Sequence, residues 1–202
     1  MIFYEPQGRD RELLPHDPFK AIVAPRPIGW VSTIGPDGEL NLAPYSFFNA
    51  IGENPPMVAF SSSGAKHSST FAGGAGEFVW NLATWDLREQ MNLTSAKLPR
   101  GESEFAFAGL ETAPSRLVAP PRVAEAHVAL ECRVVHNVAL DDVNGEPANQ
   151  HLVVGQVIGV HLDEAFLEDG RVLTAKLQPV ARCGYREEYT VVRELFAMWR
   201  PT

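Results

Sequence analysis

Residues Ile28–Ile51 read IGWVSTIGPDGELNLAPYSFFNAI. Ile28–Ile34 has the apolar, β-branched character of a strand, and Pro36-Asp37-Gly38 is a turn signal, so the pattern predicts a hairpin return into Leu40–Ala50. The returning stretch is unusual for a buried strand. Pro44 removes a backbone donor from its middle, and Tyr45, Ser46 and Asn49 set a phenol, a hydroxyl and an amide close together. A backbone that lines a ligand accounts for this mixture better than one that only fills a core.

Working outward, further strands are expected at Met57–Ser61 after the Pro55-Pro56 breaker, and at Glu77–Ala83, where period-two alternation puts Phe78, Trp80 and Leu82 on one face. Val128–Leu140 and His151–Leu162 are long β-rich runs joined through the Asn144-Gly145 turn signal, and Leu173–Val180 reads as another strand. Helices are fewer. Asp86 and Glu89 have capping-box spacing ahead of a helix over Leu87–Ala96. A short helical turn near Ser68–Thr70 is expected to stop at Gly73 and Gly74. The stretch YTVVRELFAMW (Tyr189–Trp199) reads either as a helix or as extended cover. There is no repeat and no linker, so residues 1–202 form one mainly β domain: an antiparallel barrel with small helical additions.

Bulk properties exclude several function classes. A formal charge of −8 argues against nucleic-acid or anionic-membrane partners, which require clustered cations. The sequence has no apolar run of about twenty residues, and MIFYEPQGRDRELLPHD is too polar for a signal peptide; a cytoplasmic protein is expected. Two cysteines, Cys132 and Cys183, make neither a disulfide framework nor a four-ligand metal site. The six histidines lack the i, i+4 spacing of a helical zinc motif, so no metal centre is expected.

Ser61–Thr70 reads SSSGAKHSST, between a strand end and a helix start. Such a turn offers free amides, the helix N-terminus adds partial positive charge, and Lys66 supplies a point charge for a phosphate dianion. A charge-assisted contact of this kind is worth roughly 1.5–3 kcal/mol. A solvated serine-rich loop is the plain alternative. Neither a G-x-x-x-x-G-K-[ST] loop nor a G-x-G-x-x-G fingerprint is present, which disfavours a nucleoside triphosphate and a Rossmann site.

In this order, APRPIGWVSTIGPDGELNLAPYSFFNAI, PPMVAFSSS, the Lys66 segment, GEFVWNL, RVAEAHVALEC, HLVVGQVIGVHLD and RCGYREEYTVVRELFAMWRP resemble the flavin reductase-like family, over nearly the whole chain. The resemblance implies an FMN-binding split β-barrel of antiparallel Greek-key type with a few short helices. It puts Trp30, Ser32, Thr33 and Ala43, Pro44, Tyr45, Ser46, Phe47, Phe48 and Asn49 around the flavin ring and ribityl chain. It puts Ser61, Ser62, Ser63, Lys66, Ser68 and Ser69 around the phosphate. The cofactor implied is FMN, with FAD the alternative, and NADH or NADPH the electron donor.

The chain departs from the family pattern at Lys66-His67-Ser68, where Lys-Asp-Thr is frequent, and at His127, where proline is frequent. The resemblance makes His151 the candidate catalytic residue beside nicotinamide or flavin, while His127 reads as structural. Trp30, Trp80 and Trp85 also read as core or rim packing, Cys132 as a small buried hydrophobe, and Glu131 as facing solvent or an interface. Trp199 either covers a partner subunit's flavin or closes the fold. The function implied is hydride transfer from NAD(P)H to flavin in a homodimer, supplying an oxygenase or redox-protein partner; a non-catalytic electron carrier of the flavoredoxin kind is the alternative.

Overall fold

The computed structural model describes residues 1–64, 66–99 and 101–201. After a short helix α1 (Phe19–Ile22) come β1 (Arg26–Pro27), β2 (Gly29–Ile34), β3 (Leu40–Tyr45), β4 (Phe48–Glu53) and β5 (Pro56–Ser63). Helix α2 (His67–Ala75) leads into β6 (Glu77–Asn81), followed by α3 (Arg88–Leu93), α4 (Glu104–Phe107) and the short pair β7 (Thr112–Ala113) and β8 (Arg122–Val123). The long strands β9 (Val128–Asp141) and β10 (Pro147–Leu162) form one hairpin. The small hairpin β11 (Leu167–Glu168) and β12 (Arg171–Val172), helix α5 (Thr174–Leu177), β13 (Val180–Arg182) and β14 (Tyr189–Val191) complete the described elements.

Seven strands make the main antiparallel sheet, in the order β3-β2-β6-β9-β10-β5-β4. Its two edge strands are consecutive in sequence and separated only by Ser46 and Phe47. Two residues span only about 7 Å, so the sheet must curl until its edges meet. The Ser61 N–H donates to the Phe47 carbonyl at 2.8 Å, carrying the β4–β5 ladder up to this crossing. The expected single return over Leu40–Ala50 is therefore two strands, one pairing β2 and the other β5. Pro44 lies in edge strand β3, where a residue without an N–H is tolerated.

Alternation sends Val31, Tyr45, Phe60, Phe78, Cys132 and Val153 into the barrel. Phe60 meets Phe78 edge-on, with ring centroids 5.4 Å apart, and Gly155 lets the Phe78 ring pass: a Cβ there would lie 2.4 Å from it. The opposite face of β2, β3 and β6 is also covered. Trp30, Leu42, Met91, Phe105 and Val123 form a second core beneath α3 and α4, and Trp30 Nε1 donates to Thr94 Oγ1 at 3.0 Å. Strand β6 thus buries Val79 and Asn81 as fully as Phe78, a two-sided burial that simple alternation does not anticipate.

Several local expectations change. Helix α2 runs through Gly73 and Gly74 and ends at Gly76, whose φ of 72° is left-handed. Gly73 permits close packing instead: a Cβ would sit 2.0 Å from Asn137 Nδ2, which donates to the Ser69 carbonyl. Helix α3 starts at Arg88 without a side-chain cap, because the Asp86 carboxylate is turned to Thr84 and His127. Leu173–Val180 is mostly helix α5, ended by Gln178 with φ 49°, and the strand begins only at Val180. Beyond β14 the described chain has no regular structure, so Tyr189–Trp199 is the extended alternative.

Glu131, expected at the surface or an interface, is 1% exposed. It accepts from the amides of Arg116 (2.8 Å), Leu117 (2.6 Å) and Val118 (3.2 Å) and faces His161 Nε2 at 2.5 Å, pinning the loop ahead of β8 to β9. Burial alone pushes the Glu131 carboxyl up, but the Arg116 amide, His161 and the Leu117 amide outweigh it and hold the carboxyl below its ordinary value. Such a carboxyl stabilises the fold above its unfolded pKa, and that contribution is lost as pH falls through the lowered folded value. Glu131→Gln is expected to cost about 2 kcal/mol at neutral pH and to flatten the loss of stability on acidification. Urea unfolding across pH checks both; an unchanged acid slope would remove Glu131 as the anchor.

Candidate functional site

The loop after β5 and the Ser46-Phe47 crossing meet at one end of the barrel, which α2 caps from inside. Strand register divides the hydroxyls and rings here into two sets, because directly paired residues share a face. Ser62 pairs with His151, and Phe60 with both Val153 and Phe48, so these five face inward. Ser61, Ser63, Asn49 and Gln150 face outward.

The inward set is a closed network. Asn41 Nδ2 donates to Thr33 Oγ1 (3.2 Å) and Ser68 Oγ (2.8 Å), and Ser62 Oγ donates to the Gly64 carbonyl at 3.3 Å. Burial is the main cause that pushes the Tyr45 phenol up. Ser32, fully buried on the other face, donates to the Pro121 carbonyl at 2.6 Å. Ser69 closes the first turn of α2, accepting from the Lys66 amide and donating to its carbonyl. The side chains of Trp30, Ser32, Thr33, Ser62 and Ser68 are thus committed to the interior, and none presents its hydroxyl or ring to a ligand outside the barrel. Thr33, Ser62 and Ser68 pack at the barrel end, whereas Trp30 and Ser32 pack on the opposite face of β2.

The outward set can hold a ligand. Ser63 Oγ accepts from Gln150 Nε2 at 3.0 Å, and Ser61 Oγ donates to Gln150 Oε1 at 3.4 Å, so Gln150 aligns both hydroxyls. Exposed Lys66 stands at the N-cap of α2, whose first amides lack intrahelical partners. Gly64 makes the turn between them with φ 71°. Ser61, Ser63, Lys66 and that helix start are the donor set a phosphate dianion requires. Beside them, half-buried Phe47 and exposed Asn49 continue the strip, and Phe48 stacks on Trp80 just inside, with centroids 5.4 Å apart and planes at 9°. A flavin mononucleotide, an aromatic ring with a phosphorylated tail, fits this chemistry. Ala43 faces the barrel interior with Val31, while Pro44 and Ser46 open on a different cavity.

His151, half-buried, lies on the inward face opposite Ser62, so it reaches the outer strip only over the barrel rim. Gln150 is the residue that sequence reading missed. Its signal was available only as cross-strand register, because 87 residues separate it from Ser63. His127 is structural: Nδ1 faces Asp163 at 3.1 Å and Nε2 faces Asp86 at 3.2 Å. The half-exposed Trp85 packs under the Arg88 guanidinium, 4.0 Å from its ring, whereas Trp199 is exposed in the single chain.

Residues 23–176 match the model of the flavin reductase-like domain. A Deinococcus radiodurans protein without an assigned activity is 40% identical over 194 residues, covering 90% of this chain and 82% of its own. Nitrilotriacetate monooxygenase component B from Bacillus cereus superposes with a TM-score of 0.88 at 30% identity, over 98% of both chains. Flavoredoxin of Desulfovibrio vulgaris shares the fold, with a TM-score of 0.76 at 23% identity over 87% of this chain and 91% of that one. A domain match of this extent, on a closed antiparallel barrel of this topology, places the chain in the flavin reductase-like family of split-barrel proteins.

Proposed function

We propose that the protein is an FMN-dependent oxidoreductase that passes hydride from NADH or NADPH to flavin. The observation that carries this reading is the outward strip running from Phe47 through Ser61 and Ser63 to Lys66, in a chain of this family. When bound, the flavin supplies the hydride-accepting chemistry, and the protein binds and orients it. Lys66 and the α2 N-terminus neutralise the phosphate; Gln150 fixes the Ser61 and Ser63 hydroxyls; Phe47 and Asn49 offer apolar and amide contact to the ring end. Similarity to a monooxygenase component supports an oxygenase as the consumer of reduced flavin. FAD is accommodated by the same reading only if its adenylate projects beyond Lys66.

The site faces an incomplete surface. Val135 (42% exposed) and Val138 (41%) lie on β9, and Leu195, Phe196, Met198 and Trp199 follow β14 with at least 66% exposure each. Apolar surface on this scale favours a partner, and a homodimer that covers the flavin strip is the proposed assembly. Light scattering is expected to return twice the 22.2 kDa chain mass, and monomer mass at micromolar concentration rules the dimer out. No described helix is long and apolar enough to cross a membrane. A cytoplasmic location is the corresponding proposal.

Lys66→Ala is expected to weaken FMN binding about ten- to a hundredfold while shifting stability by less than about 0.5 kcal/mol. Fluorescence titration with FMN reads the first and thermal unfolding the second; unchanged affinity refutes the phosphate assignment. His151→Ala is expected to slow reduction of bound flavin by NAD(P)H in stopped flow with FMN affinity kept. Equal loss of both makes His151 part of the barrel-end scaffold. Rapid steady-state NAD(P)H consumption with added flavin distinguishes the reductase from a flavoredoxin-type carrier, which a protein donor alone would reduce.

A further inference from the structure

A cavity of about 940 Å³ lies on the other side of the β3–β4 crossing, between α3 and the β13–β14 hairpin. None of Ser61, Ser63 or Lys66 lines it. Its floor is apolar, from Ile28, Met91 and Val180, and Trp85, Tyr185 and Tyr189 supply rings. Its charge runs against that of the chain. Five cations line it (Lys20, Arg26, Arg88, Arg182 and Arg186) against three carboxylates (Asp17, Glu89 and Glu187), in a protein of net charge −8.

Arg26 is the informative member. It is 94% buried, being 6% exposed, and its Nη1 donates to the carbonyls of Lys20 and Val23 while Nε has no partner. Burying a guanidinium without a carboxylate is unfavourable unless something anionic answers it. Among the described residues the only ion pair in this cavity is Arg88 with Glu89, at 3.4 Å. The other four cations have no carboxylate partner there; Arg182 instead stacks 4.4 Å over Tyr189, and Lys20 Nζ lies 5.8 Å from the Phe47 ring.

We propose that this cavity binds a small anion carried on a planar ring, a carboxylate or a phosphate ester, separately from the Ser61–Lys66 strip. The anionic head meets Arg26 and the exposed cations Lys20 and Arg186, and the ring lies against the tyrosines. Pro44 and Ser46 form one wall, so the bound molecule sits across the chain crossing from Phe47. Its role as the anionic reactant of the flavin chemistry rests on the function proposed above; its binding does not.

The test titrates benzoate and phenyl phosphate, which share a ring and differ in the anion, against the full-length protein with and without FMN. Tryptophan fluorescence reports through Trp85. At least one probe is expected to quench saturably, and Lys20→Ala with Arg186→Ala to weaken it about tenfold or more. Arg26→Gln should abolish binding; should it unfold the chain, the surface pair decides alone. Saturation by benzoate identifies a carboxylate ligand, and saturation by phenyl phosphate alone a phosphate ester. The proposal is overturned if neither probe saturates, if binding ignores the Lys20 and Arg186 changes, or if it is lost only in Lys66→Ala. Failure to take up FMN with probe binding intact would sink the flavin reading and leave this one standing.

Discussion

Two residues, Ser46 and Phe47, carry the chain from one edge of a seven-stranded sheet to the other. No separate loop brings β4 to the far edge; the sheet itself must bend until β4 can pair with β5. Curling brings the two edge strands, β3 and β4, together at that crossing. It also creates two distinct environments. An inner space fills with Phe60, Phe78 and Val153, and an outer corner brings the Ser46–Asn49 backbone beside the end of β5.

Once the barrel is closed, alternation decides the chemistry of each hydroxyl. Ser61, Ser62 and Ser63 are identical in type and adjacent in sequence, yet Ser62 is buried and donates to the Gly64 carbonyl while its neighbours share Gln150 outside. The inner network of Thr33, Asn41 and Ser68 offsets its desolvation by satisfying its own members and so fixes α2 against the barrel end. That rigid platform positions Lys66 and the helix N-terminus. A serine-rich loop alone would leave the same groups solvated and disordered in direction.

Charge is handled in two contrasting ways. Glu131 is buried with three amides and a histidine, a self-contained arrangement that ties an irregular segment to β9. Arg26 is buried with two carbonyls and no carboxylate, and its surroundings add more positive charge. The first pattern holds a fold together. The second leaves a potential that a ligand can satisfy.

The sequence by itself determined that the protein is an antiparallel β barrel, where its long β9–β10 hairpin turns, and that a helical turn starts near Ser68, because periodicity, turn residues and local charge are written within a few positions of one another. It also carried the family pattern, and with it the expectation of a flavin. Only the tertiary structure decided which of the chosen side chains are buried in the single chain and which are exposed. Trp30 belongs to a second core whose covering helices come some 60 to 70 residues later, Ser32 is sealed by Pro121, 89 residues on, and Gln150 meets Ser63 across a pairing that spans 87 residues. The helix limits failed for the same reason: Asp86 found His127, and Gly73 found Asn137, partners that no local window contains. Side-chain type is local, but its exposure and partners are set by register and closure, which are properties of the whole chain.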